Sequence, residues 1–398
     1  MWEMGKRVLI IIENLPAPFE RRVWQQAKAL RDAGYIVSMI SPKGKGFTKW
    51  HEVIDGIHIY RHPLPVEASD IPAYLFEYPW ALAWQFILSV WIYFFGPGFS
   101  VIHGCDPPDL VFLVACVFKL VGVKYIFDHR DLSPELYVVK FGKRGFWHRM
   151  LLLAERLSYK TADVVIATNE SYREIGIKRN KFDPDKIFIV RSGPSAGFGE
   201  GVKPKENFYP GRKVVGYVGV IGQQEGLNLL VEAVDHLVNR LGRREAFFII
   251  MGEGPALKNV IAHAREKGLL DEYMKFTGYV PTEELIATLT SCYMCVNPDH
   301  VNPFSDRSTM TKVVEYMALG KPIVMFETTE GRFSAQDSAL YARPNDPVDM
   351  AEKIAYLFDH PEEAMEMGKR GKERFEKYLK WEASVPSLLA AYKRVFEV

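Results

Sequence analysis

Cysteine is scarce in this chain. Four residues among 398, Cys105, Cys116, Cys292 and Cys295, are too few for a disulfide framework, and a reducing compartment fits them. Cys292 and Cys295 have CxxC spacing, but they sit in the apolar run CYMCV with no second Cys or His pair nearby. That spacing reads as buried strand before it reads as a metal or redox site. Excess charge is also missing. Fifty Lys and Arg against 49 Asp and Glu leave a net charge of +1, which argues against a dedicated nucleic-acid binder. The start, MWEMGKRVLIIIENLP, has too short an apolar run for a signal peptide and leads straight into folded-looking sequence. What remains is globular: 48% hydrophobic, 25% charged, and long enough for two domains or three.

Strand and helix patterns alternate along the chain. RVLIII at Arg7 to Ile12 is a continuous apolar run suited to a buried parallel strand. An amphipathic helix follows from about Phe19 to Ala33, ended by Gly34, and YIVSMIS and GIHIYR supply further strands. Strands at Val101 to His103 and Lys124 to Phe127, a helix near Trp147 to Tyr159, ADVVIAT and IFIVRSG complete a first half. SGPSAGFGEGVKPKENFYPGRK is rich in Gly, Pro and charge and has no period, so residues 193–212 read as a linker. Alternation restarts with VVGYVGV, AFFIIMG, MKFTGYV, YMCVNP and PIVMF over residues 213–379, and charged amphipathic helices end the chain. The expected fold class is α/β, with two Rossmann-like, doubly wound parallel sheets, residues 1–192 forming the first. Ligands bind such sheets at the carboxyl ends of the strands.

One long apolar run interrupts this pattern. No charge occurs between Glu77 and Asp106, and Trp80 to Phe95 is almost wholly apolar. About 20 apolar residues span a bilayer, but a span here would put strands of one sheet on opposite sides of the membrane. A helix apolar all round is otherwise buried or lies against lipid. KFGKRGFWHRMLLL at Lys140 to Leu153 mixes basic and aromatic residues as interfacial segments do. We therefore expect peripheral membrane contact through residues 79–99 and 140–153; the bland alternative is two core helices with one solvated face.

The stretch Asp299 to Val324, DHVNPFSDRSTMTKVVEYMALGKPIV, carries the clearest chemistry. A polar loop turns helical at Ser308-Thr309, and either residue can cap the helix, leaving first-turn amides aimed into the loop. Such a start attracts phosphate. Lys312 lies one turn in, and Glu315 about two turns in from Ser308 can take two sugar hydroxyls. Amides and cations for phosphate with a carboxylate for ribose would seat a nucleotide diphosphate; a capped helix with solvated Lys and Glu is the plain alternative.

ENLPAPFERRVWQQAKAL, HGCDPPDL, FDHRDLSPELY, GYVGVIGQQEGLNLLVEAV, MGEGP, FTGYVP and DRSTMTKVVEYMALGKPIV, in this order, resemble bacterial glycosyltransferases of family 4, nearest the branch that builds O-antigen and exopolysaccharide on lipid carriers. The resemblance covers essentially the whole chain. It implies a GT-B fold with a C-terminal helix, residues 380–398, returning to the N-terminal domain. It also implies a retaining, metal-independent hexosyl transfer with no cofactor beyond the nucleotide-sugar co-substrate. The acceptor would lie on the N-terminal domain and the nucleotide on the C-terminal one. Carried over by motif, Glu315 binds the ribose, Gly252, Glu253 and Gly254 line the nucleotide, and Tyr279 and Val280 meet the base. His129, at the end of the fifth strand, matches a histidine near the donor sugar and leaving phosphate, and with Arg130 and Asp131 beside it would be catalytic at the reacting centre; a core histidine held by a neighbour is the plain alternative.

Two departures stand out. The first glutamate of the family's E-x7-E motif falls at Arg307, with Asp306 beside it. The arginine and lysine that usually hold the diphosphate are Val220 and Glu225 here. Arg307, Ser308, Thr309 and Lys312 at the helix start are then the nearest phosphate partners, with Arg130 and Arg191 as further cations. On the acceptor side the candidates are Asn14, Arg21, Arg22, His103 and Glu135. Arg21 and Arg22 can meet an anionic acceptor or form a solvated face; for His103 a structural role is equally open. No carboxylate pair at defined spacing marks an inverting base, and sequence separation does not give that geometry.

The expected function is transfer from a nucleotide-diphosphate sugar, UDP by family default, to a polyprenyl-diphosphate-linked or glycan acceptor. The expected location is cytoplasmic, on the inner face of the cytoplasmic membrane. A non-catalytic partner or a nucleotide-sugar epimerase on the same fold are the rivals.

Overall fold

The computed structural model describes residues 6–64, 71–206 and 208–397. Residues 1–5, on which the expectation of no leader partly rests, lie outside the described residues. The chain divides into two compact units, Met1–Ser192 with Ser384–Val398, and Gly193–Ala383.

The first unit is built on an eight-stranded sheet. In chain order its elements are β1 (Arg7–Ile11), α1 (Arg21–Asp32), β2 (Ile36–Pro42), β3 (His51–Ile54), β4 (Ile57–His62) and α2 (Ile71–Phe95). Then come β5 (Val101–Cys105), α3 (Phe112–Lys119), β6 (Lys124–His129), α4 (Ser133–Phe141), α5 (Phe146–Thr161), β7 (Val164–Ala167), α6 (Glu170–Lys178) and β8 (Ile187–Ile189). The strand order is β3-β4-β2-β1-β5-β6-β7-β8, parallel except for the β3–β4 hairpin. β1, β5 and β6 are buried almost throughout, as strands covered on both faces must be. The chain runs outward from β1 on one side and restarts at β5 on the other, so the sheet's switch point lies between β1 and β5.

β3 was not anticipated. It is four residues long, half polar, and lies at the sheet edge with alternate residues exposed. With β3 counted, His129 ends the sixth strand, not the fifth. The signal was present: Asp55-Gly56, both at positive φ, join HEVI to IHIY as a two-residue hairpin turn.

α2 is the apolar segment. It starts earlier than expected, keeps Pro79 inside, and is the one helix among the described residues long and apolar enough to cross a membrane. Yet β4 and β5, which flank it in the chain, belong to one sheet. Nor is it buried all round. Ala81, Gln85, Leu88, Ser89 and Ile92 share a helical face and are buried, and Gln85 donates to Glu13 at 2.5 Å. Trp80, Ile87, Trp91 and Phe94 stand exposed on the rest of the helix.

The second unit holds a six-stranded, wholly parallel sheet. Its elements are β9 (Lys213–Val218), α7 (Leu227–Asp235), β10 (Ala246–Met251), α8 (Leu257–Glu266), β11 (Met274–Gly278), α9 (Thr282–Ser291) and β12 (Met294–Asn297). There follow α10 (Thr311–Ala318), β13 (Ile323–Phe326), α11 (Thr329–Ala335), β14 (Ala339–Ala342), α12 (Pro347–Asp359) and α13 (Pro361–Arg374). The order β11-β10-β9-β12-β13-β14 puts its switch point between β9 and β12. Within CYMCV the strand takes in only Met294 onward, while Cys292 caps the end of α9; both Cys292 and Cys295 are buried free thiols within a core cluster. The last helix, α14 (Trp381–Glu397), crosses the unit boundary, and from Ser384 onward it belongs to the first unit. There the Tyr392 hydroxyl meets His103 Nδ1 at 2.7 Å.

Candidate functional site

In the first unit, the C-terminal ends of β1, β5 and β6 meet at the switch point. Because side chains alternate along a strand, Asp128 and His129 face opposite sides of the sheet. Asp128 faces α1. It accepts from Arg22 Nη2 at 2.8 Å and from Gln26 at 3.2 Å, and His103 Nε2 lies 3.4 Å from it. Arg22 also donates to the Val190 carbonyl and to Ser192 Oγ. Arg22 and His103 are thus buried structural partners, which is the structural alternative for His103 and, for Arg22, neither the acceptor contact nor the solvated face expected. Burial alone would raise the Asp128 carboxyl; Arg22, His103 and Arg130 more than offset that and hold it well below the usual range.

His129 faces the other side. It is completely buried, with Nδ1 2.7 Å from the Tyr159 hydroxyl and its ring 5.5 Å from Phe127 and 5.1 Å from Tyr172. Burial, aided by Arg179, pushes the imidazole down to about 3, so it is neutral near pH 7. A neutral, enclosed ring favours the plain alternative of a core histidine held by a neighbour over an acid acting on a leaving phosphate.

Arg130, one residue past the strand, has a side chain only 6% exposed. Its Nε donates to the Asp106 carbonyl at 2.5 Å, Nη1 to Glu20 at 3.0 Å and Nη2 to Asn14 Oδ1 at 2.9 Å. Asp106 Oδ1 accepts from the amides of Arg130 (2.7 Å) and Asp131 (3.1 Å), fixing the turn that carries both. Asn14 and Arg21 are exposed. Glu135, in the first turn of α4, accepts from Arg179 at 2.6 Å and is half-buried. The sequence reading overlooked Asp106 and Glu20.

Asp106 has a titrating neighbour. Burial, with Glu155 nearby, raises Asp109 to about 7, and burial with Asp109 and Asp131 raises Asp106. The folded Asp109 therefore keeps a proton that the unfolded chain releases above about pH 4. Stability should fall as pH rises from about 4 to 7 and stay reduced above. Asp109→Asn should flatten that slope, gaining about 2 kcal/mol on wild type between pH 5 and pH 8. Urea midpoints at the two pH values check this; parallel pH profiles would refute it.

His103, Cys105 and Asp128 place ligand atoms within 4.8 Å of one another. The Asp128 oxygens already serve Arg22 and Gln26, and the guanidinium supplies the positive charge. The residues do not fit a metal.

In the second unit, three glycines let loops at the switch point pack backbone on backbone. A Cβ on Gly252 would sit 1.8 Å from the Gly219 carbonyl oxygen, one on Gly226 1.8 Å from that of Pro298, and one on Gly254 2.5 Å from that of Ile221. The loops after β9, β10 and β12 are thereby drawn together. Glu253 and Tyr279 are exposed, and Val280 packs in part against the core.

α10 begins three residues later than expected. Asn302 Oδ1 accepts from the amides of Phe304 and Ser305, starting a 3-10 turn over Ser305–Arg307, and Ser308 Oγ donates back to the Phe304 carbonyl at 2.8 Å. Neither Ser308 nor Thr309 is therefore the N-cap residue. Met310 is the N-cap, and its own side chain makes no capping bond. Lys312 falls in that first turn and Glu315, half-buried, one turn on. Arg307 is half-buried, and Asp306 beside it accepts from Thr329.

Lys312 is not a solvated cation. Its Nζ contacts Asp299 at 2.7 Å and the Tyr217 hydroxyl at 3.3 Å, over the Tyr217 ring at 4.8 Å. Asp299 and Tyr217 were missed. The signal was Asp299 itself, a carboxylate two residues past the apolar strand that opens the stretch.

Two family models match the chain, one described as glycosyl transferase 4-like domain over residues 19–193 and one as glycosyl transferases group 1 over residues 212–360. The 2-deoxystreptamine glucosyltransferase of Streptomyces kanamyceticus is 25% identical over 297 residues, 70% of this chain and 72% of that protein. D-rhamnosyltransferase WbpZ of Pseudomonas aeruginosa is 26% identical over 162 residues, 40% of this chain and 39% of its own. Among solved structures, the sucrose-phosphate synthase of Thermosynechococcus elongatus has a TM-score of 0.79 at 19% identity, covering 98% of this chain and 99% of that one. Anabaena HepE in complex with UDP-glucose has a TM-score of 0.72 at 13% identity, covering 97% and 99%. Two parallel-sheet units, matched over nearly their whole length, make the fold GT-B, and the chain belongs to the family 4 glycosyltransferases.

Proposed function

We propose that the protein moves a hexosyl unit, with retention and without a metal, from UDP-sugar to a polyprenyl-diphosphate-linked or growing polysaccharide acceptor. The observation that carries the donor side is the glycine-packed switch point of the second unit, beside the start of α10. Helix-start amides with Lys312 and Arg307 offset the charge that develops on a leaving diphosphate, Ser308 and Thr309 border it, and Glu315 takes the ribose hydroxyls. The Gly252–Gly254 loop lines the nucleotide, and backbone groups at Tyr279 and Val280 meet the base. HepE is described in complex with UDP and glucose, which supports UDP as donor nucleotide. The first unit receives the acceptor at Arg130 and Asp131, bordered by Asn14 and Arg21.

Peripheral contact with the inner face of the cytoplasmic membrane belongs to the same reading. Phe94 and Phe95 of α2 are 69% and 76% exposed, and Phe146 of α5 is 64% exposed. Lys143, Arg144 and Arg149 around Phe146 add positive charge, as binding to anionic lipid needs. A non-catalytic reading has one observation in its favour: Lys312 is already paired with Asp299.

Thermal unfolding with UDP tests the donor site. At about 100 times its dissociation constant UDP should add about 2.7 kcal/mol of stability, and Glu315→Ala should lose that gain together with sugar transfer from UDP-glucose to a lipid-linked acceptor. A UDP shift that survives Glu315→Ala would sink the assignment; UDP binding without transfer to any acceptor would favour the non-catalytic reading.

A further inference from the structure

The loop after β9 holds a carboxylate that a diphosphate site should not tolerate. Glu225 folds back over its own loop, so that Oε2 lies 2.5 Å from where a Cβ on Gly222 would be. Oε1 accepts from Gln224 at 3.3 Å, while Oε2 is buried and meets no donor from another residue. The groups facing it are Asp299 from the loop after β12, Lys312 from α10 and the Tyr217 phenol from β9, with His300 beside Asp299. Lys312 is committed to Asp299. Two carboxylates and one ammonium thus leave a formal charge of −1 beside the α10 start. A nucleoside diphosphate adds negative charge to the same place, so as charged groups this set repels its ligand.

We propose that the donor diphosphate binds here together with one proton from solvent, which settles on the unpartnered oxygen of Glu225 and lets Lys312 turn from Asp299 to the phosphates. This rests on the donor reading above. Protonation removes the carboxylate nearest the diphosphate and gives the bare Oε2 a hydrogen to donate. It also removes a second anion from the reach of Lys312, leaving that ammonium to be shared between Asp299 and phosphate. Burial first, and Asp299 second, already raise the Glu225 carboxyl, so the proton is held more readily than by an exposed glutamate. Val220, the other departure from the family pattern, is 61% exposed and offers the phosphates no charge. The donor site is therefore proton-linked, tightening as pH falls.

UDP-glucose is the probe, because its diphosphate is esterified at both ends and does not titrate near neutrality. Calorimetric titrations of the full chain at about pH 8, in buffers of different ionisation enthalpy, count the protons taken up, and about one per UDP-glucose is expected. Affinity should weaken toward tenfold per unit of rising pH above the Glu225 range. Glu225→Gln should abolish the uptake and bind UDP-glucose about tenfold more tightly than wild type at about pH 8. Binding by wild type with no uptake overturns the proposal even if the variant does not fold. Uptake that persists in Glu225→Gln removes the proton from Glu225 and overturns it equally. Failure of wild type to bind UDP-glucose between about pH 5 and 8 overturns the donor reading beneath it instead.

Discussion

Asp128→Asn is expected to destabilise the first unit by about 3 kcal/mol, because it leaves the Arg22 guanidinium buried without its counter-ion. Asp128 is fully buried and serves Arg22, Gln26 and His103 together. Through Arg22 it reaches Val190 and Ser192, the last turn of chain before the unit boundary, and through His103 it reaches Tyr392 on the returning helix. One carboxylate therefore ties both chain crossings to the sheet. Seven of the eight tryptophans lie in residues 1–192 and only Trp381 in the second unit, so tryptophan fluorescence reports this unfolding. The Arg22→Met, Asp128→Asn double variant should be less destabilised than the sum of the singles by about 2 kcal/mol, since residues sharing one ion pair do not act independently. Because the folded carboxyl is held low, its contribution is complete above about pH 4 and is lost only as pH falls through the folded value in strong acid. Additive effects would contradict the pairing.

Much of the fold was legible because burial leaves a mark on residue type. RVLIII, VIH and AFFIIMG had to be covered on both faces, and they are central strands. β3 escaped because an edge strand need not be apolar. The site was less legible, for a geometric reason. Sequence places His129 and Arg130 side by side, but strand alternation sends one into an aromatic core and the other to Asn14 and Glu20. Arg22 and His103 looked like acceptor contacts because a buried cation and a buried imidazole are costly. Their partner, Asp128, lies more than twenty residues from either one. The cap at Ser308 failed more locally: Asn302, six residues upstream, had already drawn that serine into another turn. Lys312 and Glu315 keep their places in the first two turns because the helix carrying them shifted by less than one turn.

Gly252→Ala is expected to remove UDP-glucose binding, or to weaken it by about 100-fold, a loss of the size that an ångström of misplacement produces at a reacting centre. Two effects combine at this residue. Its φ of 141° suits glycine, and a Cβ would lie 1.8 Å from the Gly219 carbonyl oxygen and 3.0 Å from its carbon. Neither neighbour is a flexible side chain, so the loop after β9 or the loop after β10 must move. The loop after β9 carries Val220 and Glu225, and the loop after β10 carries Glu253 and Gly254. Gly268→Ala separates strain from displacement. Gly268 also has positive φ, 68°, but a Cβ there meets nothing within 4 Å, and its cost should be about 1–2 kcal/mol of stability with UDP-glucose affinity unchanged. If the two variants lose stability alike and both keep affinity, the approach of the β9 and β10 loops is only packing. If Gly252→Ala alone loses affinity while its circular dichroism stays that of wild type, that approach is what shapes the nucleotide seat.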